Sequence, residues 1–328
     1  MSSPKVSVVM SVYNGEKYLE EAIQSILDQT FTDFEFIIIN DGSIDKTLEI
    51  IQSYINKDNR IVLISRENKG LITSLNEGLN LAKGQYIARM DADDVSLPDR
   101  LSEQVKVMEE KKEVIICGTW IRKLYEDGNT ELSKYYVNDS AIKAKLVRAC
   151  CFAHPTVMLR ADIFKKNLLF YEQEYLHAED YALWAKASSY GNFYNIPKVL
   201  LNYRVLNNSI TRLADKNETQ RIDVYKKIQK IIFDKLTIPT SELNIETMIS
   251  IYRREKIAVS DINFKCLFSL FDKIISANEN SGYCDSLVLK EVLGDRVLLC
   301  FLVKKSPKII FSKYLFYGIL GYLKKHIS

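Results

Sequence analysis

Asp91, Asp93 and Asp94 end the segment Gln85-Tyr86-Ile87-Ala88-Arg89-Met90 in three carboxylates, two of them spaced i and i+2. If the segment is a strand, that spacing puts Asp91 and Asp93 on one side of its end. Adjacent carboxylates repel one another unless a cation sits among them. Hard divalent ions such as Mg2+ or Mn2+ take oxygen ligands and usually keep positions open for phosphates. The stretch therefore offers a metal-diphosphate site at the edge of a sheet. A second acidic pair, Glu179-Asp180, opens a segment of helical pattern that runs to Tyr190, with Gly191 as its stop. Neighbouring helical residues point about 100° apart, so these two carboxylates do not share one task. Acidic residues there also simply favour a helix N-terminus.

The first ~120 residues alternate strand and helix patterns, which a doubly wound sheet requires. Val6–Val12 is a β-branched apolar run, and Asn14 is placed to cap a helix whose apolar positions Leu19, Ala22, Ile23, Ile26 and Leu27 have helical period. Phe34–Ile39 reads as a second buried strand ending in Asn40-Asp41-Gly42-Ser43. Arg60–Ile64 and Tyr86–Met90 read as the third and fourth strands, with helices at 45–54 and 70–82 between them. A further helix follows Ser96-Leu97-Pro98, and Val114–Cys117 is a strand. Such alternation predicts a mostly parallel sheet covered by helices on both faces, with ligands bound beyond the strand C-termini. Tyr13, Asp41 and Asp91 all follow strand ends, so they converge on one crevice. Beyond 119 the pattern loosens: a hairpin is expected around Asp127-Gly128 and a strand at Thr156–Leu159. From about 215 the chain reads as helical, and the expected division is 1–212 and 213–328.

Composition bounds the class. An apolar share of 47% with 27% charged residues is that of a globular chain. No uninterrupted apolar window of about 18 residues suggests a spanning helix, and the N-terminus lacks signal-peptide architecture. The six cysteines form no Cys-x-x-Cys pair, so buried thiols in a reducing cytoplasm are expected and zinc is not. The net charge of +3 is uneven. Residues 297–328 carry six lysines and no acid, which leaves the rest of the chain net acidic; a nucleic-acid binder would be basic throughout.

Three readings fit the aspartates alone: a solvated acidic turn, the Asp-x-Asp-x-(Thr/Val) nucleophile loop of a haloacid dehalogenase-type phosphatase, or the Asp-x-Asp motif of an enzyme that uses a nucleotide-sugar. A phosphatase needs its aspartates after the first sheet strand, whereas three strands precede them here. A nicotinamide dehydrogenase would need Gly-x-Gly-x-x-Gly after the first strand. Six fragments in order point elsewhere. They are Val8-Val9-Met10-Ser11-Val12-Tyr13-Asn14-Gly15, Ile39-Asn40-Asp41-Gly42-Ser43-Ile44-Asp45, Glu67-Asn68-Lys69-Gly70, Ala88-Arg89-Met90-Asp91-Ala92-Asp93-Asp94, His154-Pro155-Thr156-Val157 and Ala178-Glu179-Asp180-Tyr181-Ala182-Leu183-Trp184. Together they resemble the inverting glycosyltransferases of family 2, over roughly residues 4–205. The resemblance implies the α/β nucleotide-sugar-binding fold called GT-A, followed by a C-terminal helical region.

By that resemblance Ser11, Val12 and Tyr13 contact a uracil base, Glu16 the ribose, and Asp41 the uracil N3–H. Asn68, Ser74, Asp91 and Ala92 belong to the nucleotide-sugar site, and Asp93 holds a Mn2+ or Mg2+ ion. The family often has Arg near 73–74, where this chain has Thr73-Ser74, so Arg89 or Arg100 would serve the diphosphate. Asp180 is the base for the acceptor hydroxyl. Glu179, His154 and Asp94 are candidates of less defined role. The implied reaction moves a sugar from a UDP-sugar to a hydroxyl of a saccharide or lipid-linked saccharide in surface-polysaccharide synthesis. The rival from a different class is a non-catalytic sugar-nucleotide-binding protein. The tail combines Phe301, Ile309, Phe311, Phe316, Leu320 and Leu323 with its lysines. It suits either an anionic membrane surface or a helical cap. The expected location is cytoplasmic, with peripheral contact at the inner membrane if the tail binds lipid.

Overall fold

A computed structural model describes residues 3–206, 218–239, 262–304 and 309–327. The expected division between 212 and 213 lies outside the described residues. Two compact units result, one of residues 1–137 with 152–213 and one of 138–151 with 214–328.

The first unit is built on one sheet. Its strands are β1 (Val6–Val12), β2 (Phe34–Asp41), β3 (Ile61–Arg66), β4 (Tyr86–Asp91), β5 (Val95–Ser96), β6 (Val114–Tyr125), β7 (Thr130–Ser133), β8 (Met158–Arg160) and β9 (Asn192–Val205). They lie in the order β3-β2-β1-β4-β8-β6-β9-β5, with β7 paired to β6. The first four strands run parallel. The antiparallel β8 joins them to β6 and β9, which are parallel to each other. The helices between the strands are α1 (Leu19–Leu27), α2 (Thr47–Ile55), α3 (Leu71–Leu81) and α4 (Arg100–Glu110).

Alternation along β1 decides which face each helix covers. Val6, Val8, Met10 and Val12 are buried in one cluster with Leu19, Ile23 and Ile26 of α1 and Leu101 and Met108 of α4. The intervening Val9 faces α3, where a Cβ on Gly78 would run into it. Central strands buried on both faces need apolar residues at every position, which is why β1 and β2 read as continuous apolar runs.

Register brings the strand ends together. Ser11 lies beside Asp91, Val12 beside Asn40 and Asp41 beside Arg66. Gly42 turns the chain after β2 at φ +77, and a Cβ there would lie 2.5 Å from the Asn68 amide nitrogen. Only glycine allows the two loops so close.

Several local expectations shift. Asn14 does not cap α1, whose N-cap is Tyr18. Asn14 instead adopts φ +50 and accepts a hydrogen bond from the Ile44 amide at 2.9 Å, tying two strand-end loops together. The tertiary bond outcompetes the local cap because Asn tolerates the left-handed region. The hairpin at Asp127-Gly128 is present between β6 and β7. The expected strand at 156–159 is a single 3-10 turn over His154–Thr156 followed by β8. Before β8 comes α5 (Asp139–Leu146), which is part of the second unit; past Arg160 come α6 (Ala161–Lys166) and α7 (Glu179–Ala187), the last ending three residues before Tyr190.

The second unit holds α5 with α8 (Glu218–Lys235), α9 (Phe264–Ser281), α10 (Ser286–Lys304) and α11 (Lys313–Ile327). α10 packs most extensively on α11, and the two backbones meet at Gly294 and Gly318, where neither position has room for a Cβ. Arg148 donates to Asp295 at 3.0 Å, fixing the segment after α5 to α10. Phe311 is 97% exposed, and Phe316, Ile319 and Leu323 present an exposed apolar stripe along α11. Lys313 and Lys324 are each paired, with Asp272 and Glu291. Among the described residues no helix is long and apolar enough to cross a membrane.

Candidate active site

The strand ends build the first half of the site. Tyr13 leaves β1 half exposed, next to the half-buried Ser11 and the buried Val12. The loop behind it is held from α2's side: Gly15 N–H donates to Thr47 Oγ1 at 2.8 Å, and Glu16 accepts from the Lys46 amide at 3.0 Å. Asp41 is buried and accepts from the Lys69 amide at 2.8 Å and the Gly70 amide at 3.0 Å. It also pairs with the Arg66 guanidinium. Arg66 in turn donates to Ser74 Oγ at 2.9 Å, Glu77 at 2.7 Å and the Glu67 carbonyl at 2.9 Å. Ser74 is fully buried in this network, and Asn68 sits exposed beside it, accepting from the Gly70 amide at 3.2 Å.

Arg66 was not among the residues singled out in the sequence. It occupies the side of α3 where Thr73-Ser74 left a missing cation, reaching there from β3 rather than from the helix. Its signal was available: Arg66 ends β3 as Asp41 ends β2, and the two are register partners.

Asp91, Asp93 and Asp94 bring one carboxylate oxygen each within 4.8 Å of the others. Asp91 is held by both terminal nitrogens of Arg89, which is itself buried. Ala92 and Asp93 are half-buried, and desolvation plus the charge on Asp91 pushes the Asp93 carboxyl up to about 6. Asp94 is fully buried; desolvation and the same two neighbours raise it well above the usual carboxylate range. One Asp94 oxygen accepts from the Arg204 amide at 2.9 Å, and the other has no hydrogen-bond partner among the described residues. A buried, unpartnered carboxylate oxygen costs free energy unless a cation or donor meets it. Three hard oxygen donors with such an orphan fit a divalent metal ion. Arg204, at the end of β9, also donates to the Asp93 carbonyl at 2.9 Å and pairs with Glu21. It lies more than a hundred residues downstream of the aspartates, where no local pattern points to it.

Arg100 does not serve the diphosphate. It is fully enclosed, donating to the Arg89 carbonyl at 2.6 Å and to Gln104 at 3.1 Å, and burial lowers it to about 9. Its work is to hold β4 and α4 together.

The second acidic pair opens α7. Asp180 is half-buried, with one carboxylate oxygen accepting from the Tyr181 amide at 2.7 Å. Glu179 is buried; desolvation, then the neighbouring Asp180 charge, raise it to about 7, and its Oε2 has no hydrogen-bond partner among the described residues. His154 packs at a tilt against Tyr171 and edge-on against Trp184, with its Nε2 2.8 Å from the Tyr171 hydroxyl. Burial, then the Arg89 charge, hold it well below the usual imidazole range, so it is neutral. Arg89 acts electrostatically on Asp91, Asp94, His154 and Glu179 alike. Arg89 contacts Asp91 directly, and its charge also acts on Glu179.

Glu179 yields a stability test. A folded-state value near 7 against an ordinary 4.5 means the folded protein holds this proton more tightly than the unfolded chain. Its contribution to stability is present below 4.5 and lost as pH rises toward about 7. Glu179→Gln is therefore expected to be more stable than the parent at about pH 8, by on the order of 2 kcal/mol, with the gain vanishing at about pH 4. Urea titrations at both pH values check it; equal stabilities at both would contradict the buried, charged side chain.

The family model for glycosyl transferase family 2 matches residues 7–168. The chain is 37% identical over 216 residues to the O-antigen biosynthesis glycosyltransferase WbnJ of Escherichia coli, covering 64% of this chain and 83% of that protein. Among solved structures it resembles S. aureus TarS 1-349 in complex with UDP-GlcNAc at a TM-score of 0.62 and 17% identity, over 99% of this chain and 92% of that one. It also resembles the mannosyltransferase PcManGT of Pyrobaculum calidifontis in complex with GDP-Man and Mn2+, at 0.56 and 15%, over 99% and 89%. These likenesses carry the expected fold.

Proposed function

The chain belongs to glycosyl transferase family 2, and from that premise we propose that it is a metal-dependent, inverting transferase acting on a UDP-sugar. The observation that carries this reading is the aspartate cluster at the end of β4, three carboxylates with an orphaned buried oxygen that fit a metal; the Glu179-Asp180 pair at the start of α7 supports it. Asp93, with Asp91 and Asp94, would hold the Mn2+ or Mg2+ ion. That ion supplies Lewis-acid stabilisation of charge growing on the nucleoside diphosphate. Tyr13 offers an exposed aromatic face for a base, and Asp41, fixed by Arg66, lies at the adjacent strand end. With Asp41 already accepting from two amides and Arg66, few lone pairs remain, so it can take one further donor such as a base N–H. Asp180 removes the proton from the acceptor hydroxyl as that oxygen attacks the anomeric carbon from the face opposite the diphosphate. Glu179 and His154 shape the acceptor side, and Arg89 steadies the negative charge between the centres.

The catalytic part is assigned to residues 1–212 and an accessory helical part to 213–328. The similarity to an O-antigen enzyme supports a role in polysaccharide synthesis, for which a saccharide or lipid-linked saccharide acceptor and a cytoplasmic location are part of the proposal. The apolar stripe of α11 supports peripheral contact with a membrane, where a lipid-linked acceptor would be found. Sedimentation of the full chain with anionic vesicles at low salt is the expected result, and recovery in the supernatant would remove that part of the reading. The reaction itself is tested by incubating the protein with a panel of UDP- and GDP-sugars and Mn2+. Metal-dependent release of UDP, abolished by chelator, is expected; binding of UDP without any turnover of any sugar would favour a non-catalytic binder.

A further inference from the structure

The segment that leads to Asp180 is stapled along α3. Lys165 Nζ donates to the Ala82 carbonyl at the C-terminal end of that helix, at 2.6 Å. Midway, the Asn76 side-chain amide takes both backbone groups of Tyr171: its Nδ2 donates to the Tyr171 carbonyl at 2.8 Å, and its Oδ1 accepts from the Tyr171 amide at 2.9 Å. Toward the N-terminal end Gln173 reaches Thr73 at 3.4 Å. The clamp joins residues 95 apart in the chain.

Both ends of this arrangement touch the site. The start of α3 is fixed to the strand-end network, with the Gly70 amide on Asp41 and Ser74 on Arg66. Tyr171 carries His154 on its hydroxyl and packs on Trp184 of α7, and the chain continues from it through a 3-10 turn into Glu179-Asp180. Gly70, the N-cap of α3, and Asn76 are six residues apart, about 9 Å along the helix axis. Tyr171 is buried and Asn76 half-buried, so the two bonds to the Tyr171 backbone are partly shielded from water, and a side-chain amide substitutes there for a strand partner.

We propose that Asn76 is a positioning residue that sets the spacing between the nucleotide end and the proton-accepting end of the site. It acts through the Tyr171 backbone and touches neither substrate. The inference rests on the assignment of Asp180 under the proposed function. A displacement of about 1 Å between reacting groups can cost on the order of a hundredfold in rate while leaving the binding of one partner intact.

The test uses the full chain, with UDP and MnCl2 as the binding probe. Turnover is followed on whichever of UDP-glucose, UDP-galactose and UDP-GlcNAc the parent uses fastest. Asn76→Ala is expected to lower kcat by about tenfold to a hundredfold, with KM for the sugar nucleotide and the Kd for UDP within about twofold of the parent. Asn76→Asp, which keeps the acceptor for the Tyr171 amide and loses the donor, is expected to fall between the two. Retained UDP binding shows the variant folded. An Asn76→Ala kcat within about twofold of the parent overturns the inference, as does a loss of UDP affinity matching the loss of rate. Asp180→Asn assayed alongside separates the failures: if it is inactive and Asn76→Ala fully active, only the clamp falls. If Asp180→Asn is itself fully active, the base assignment falls and takes the clamp with it.

Discussion

Asp180→Asn is expected to reduce sugar transfer by about a thousandfold and to leave UDP affinity unchanged. The substitution is nearly isosteric, and the asparagine oxygen can keep the bond now made to the Tyr181 amide. What it loses is the capacity to take a proton, which a positioned carboxylate supplies at about a hundredfold to ten-thousandfold. Because Asp180 starts α7, whereas Tyr13, Asp41 and Arg66 sit at the ends of strands, nucleotide binding is expected to be unchanged. Glu179→Gln is expected to cost less, since Glu179 is buried and carries its own proton for part of the time near neutral pH. Initial rates at saturating sugar nucleotide, with calorimetric UDP binding on the same preparations, check both. A Glu179→Gln variant that is inactive beside a fully active Asp180→Asn would exchange the two roles.

Asp93→Ala is expected to abolish metal-dependent turnover, a loss of several kcal/mol in barrier stabilisation or at least about a thousandfold in rate. Unlike a structural lesion, it should not destabilise the metal-free protein. The Asp93 carboxyl sits at about 6 against an ordinary 3.8, so the folded state holds its proton more tightly than the unfolded chain. Its contribution to stability is therefore lost as pH rises from 3.8 to about 6, and above that range the charge opposes folding. Removing it relieves repulsion within the cluster. The same proton competes with the metal, so at sub-saturating Mn2+ parent activity should fall as pH is lowered. Thermal unfolding of parent and variant in chelator, beside a rate-pH profile in Mn2+, measures both effects.

Much of the site could be read from the chain because strand ends are local features. Continuous apolar runs followed by Tyr13, by Asp41 and by Asp91-Ala92-Asp93-Asp94 give both the buried parallel strands and the residues at their mouths. Parallel pairing then brings those mouths together with no further information. Residues that act across the sequence were harder. Arg66 places a cation beside Ser74, and its position at the end of β3 is a local feature like those of Asp41 and Asp91. Arg204 secures the aspartates from β9, and Asn76 grips a backbone 95 residues away. Neither carries a local signature, because an Arg near a strand end and an Asn inside a helix each have commoner explanations. Asn14 failed as a helix cap for the same reason: a partner 30 residues on, the Ile44 amide, competes with the local bond and wins. Residues 138–151 pack with helices that begin beyond residue 214, a placement only long-range contacts decide.

The division of labour between the two acidic centres is tested most directly by UDP affinity with and without Mn2+, measured by calorimetry together with transfer rate. The comparison takes the parent, Asp93→Ala and Asp180→Asn. Mn2+ should tighten UDP binding in the parent and in Asp180→Asn and should have no effect in Asp93→Ala, while both variants lose transfer. Mn2+ enhancement that survives in Asp93→Ala, or transfer at the parent rate by Asp180→Asn, would contradict the two-centre site.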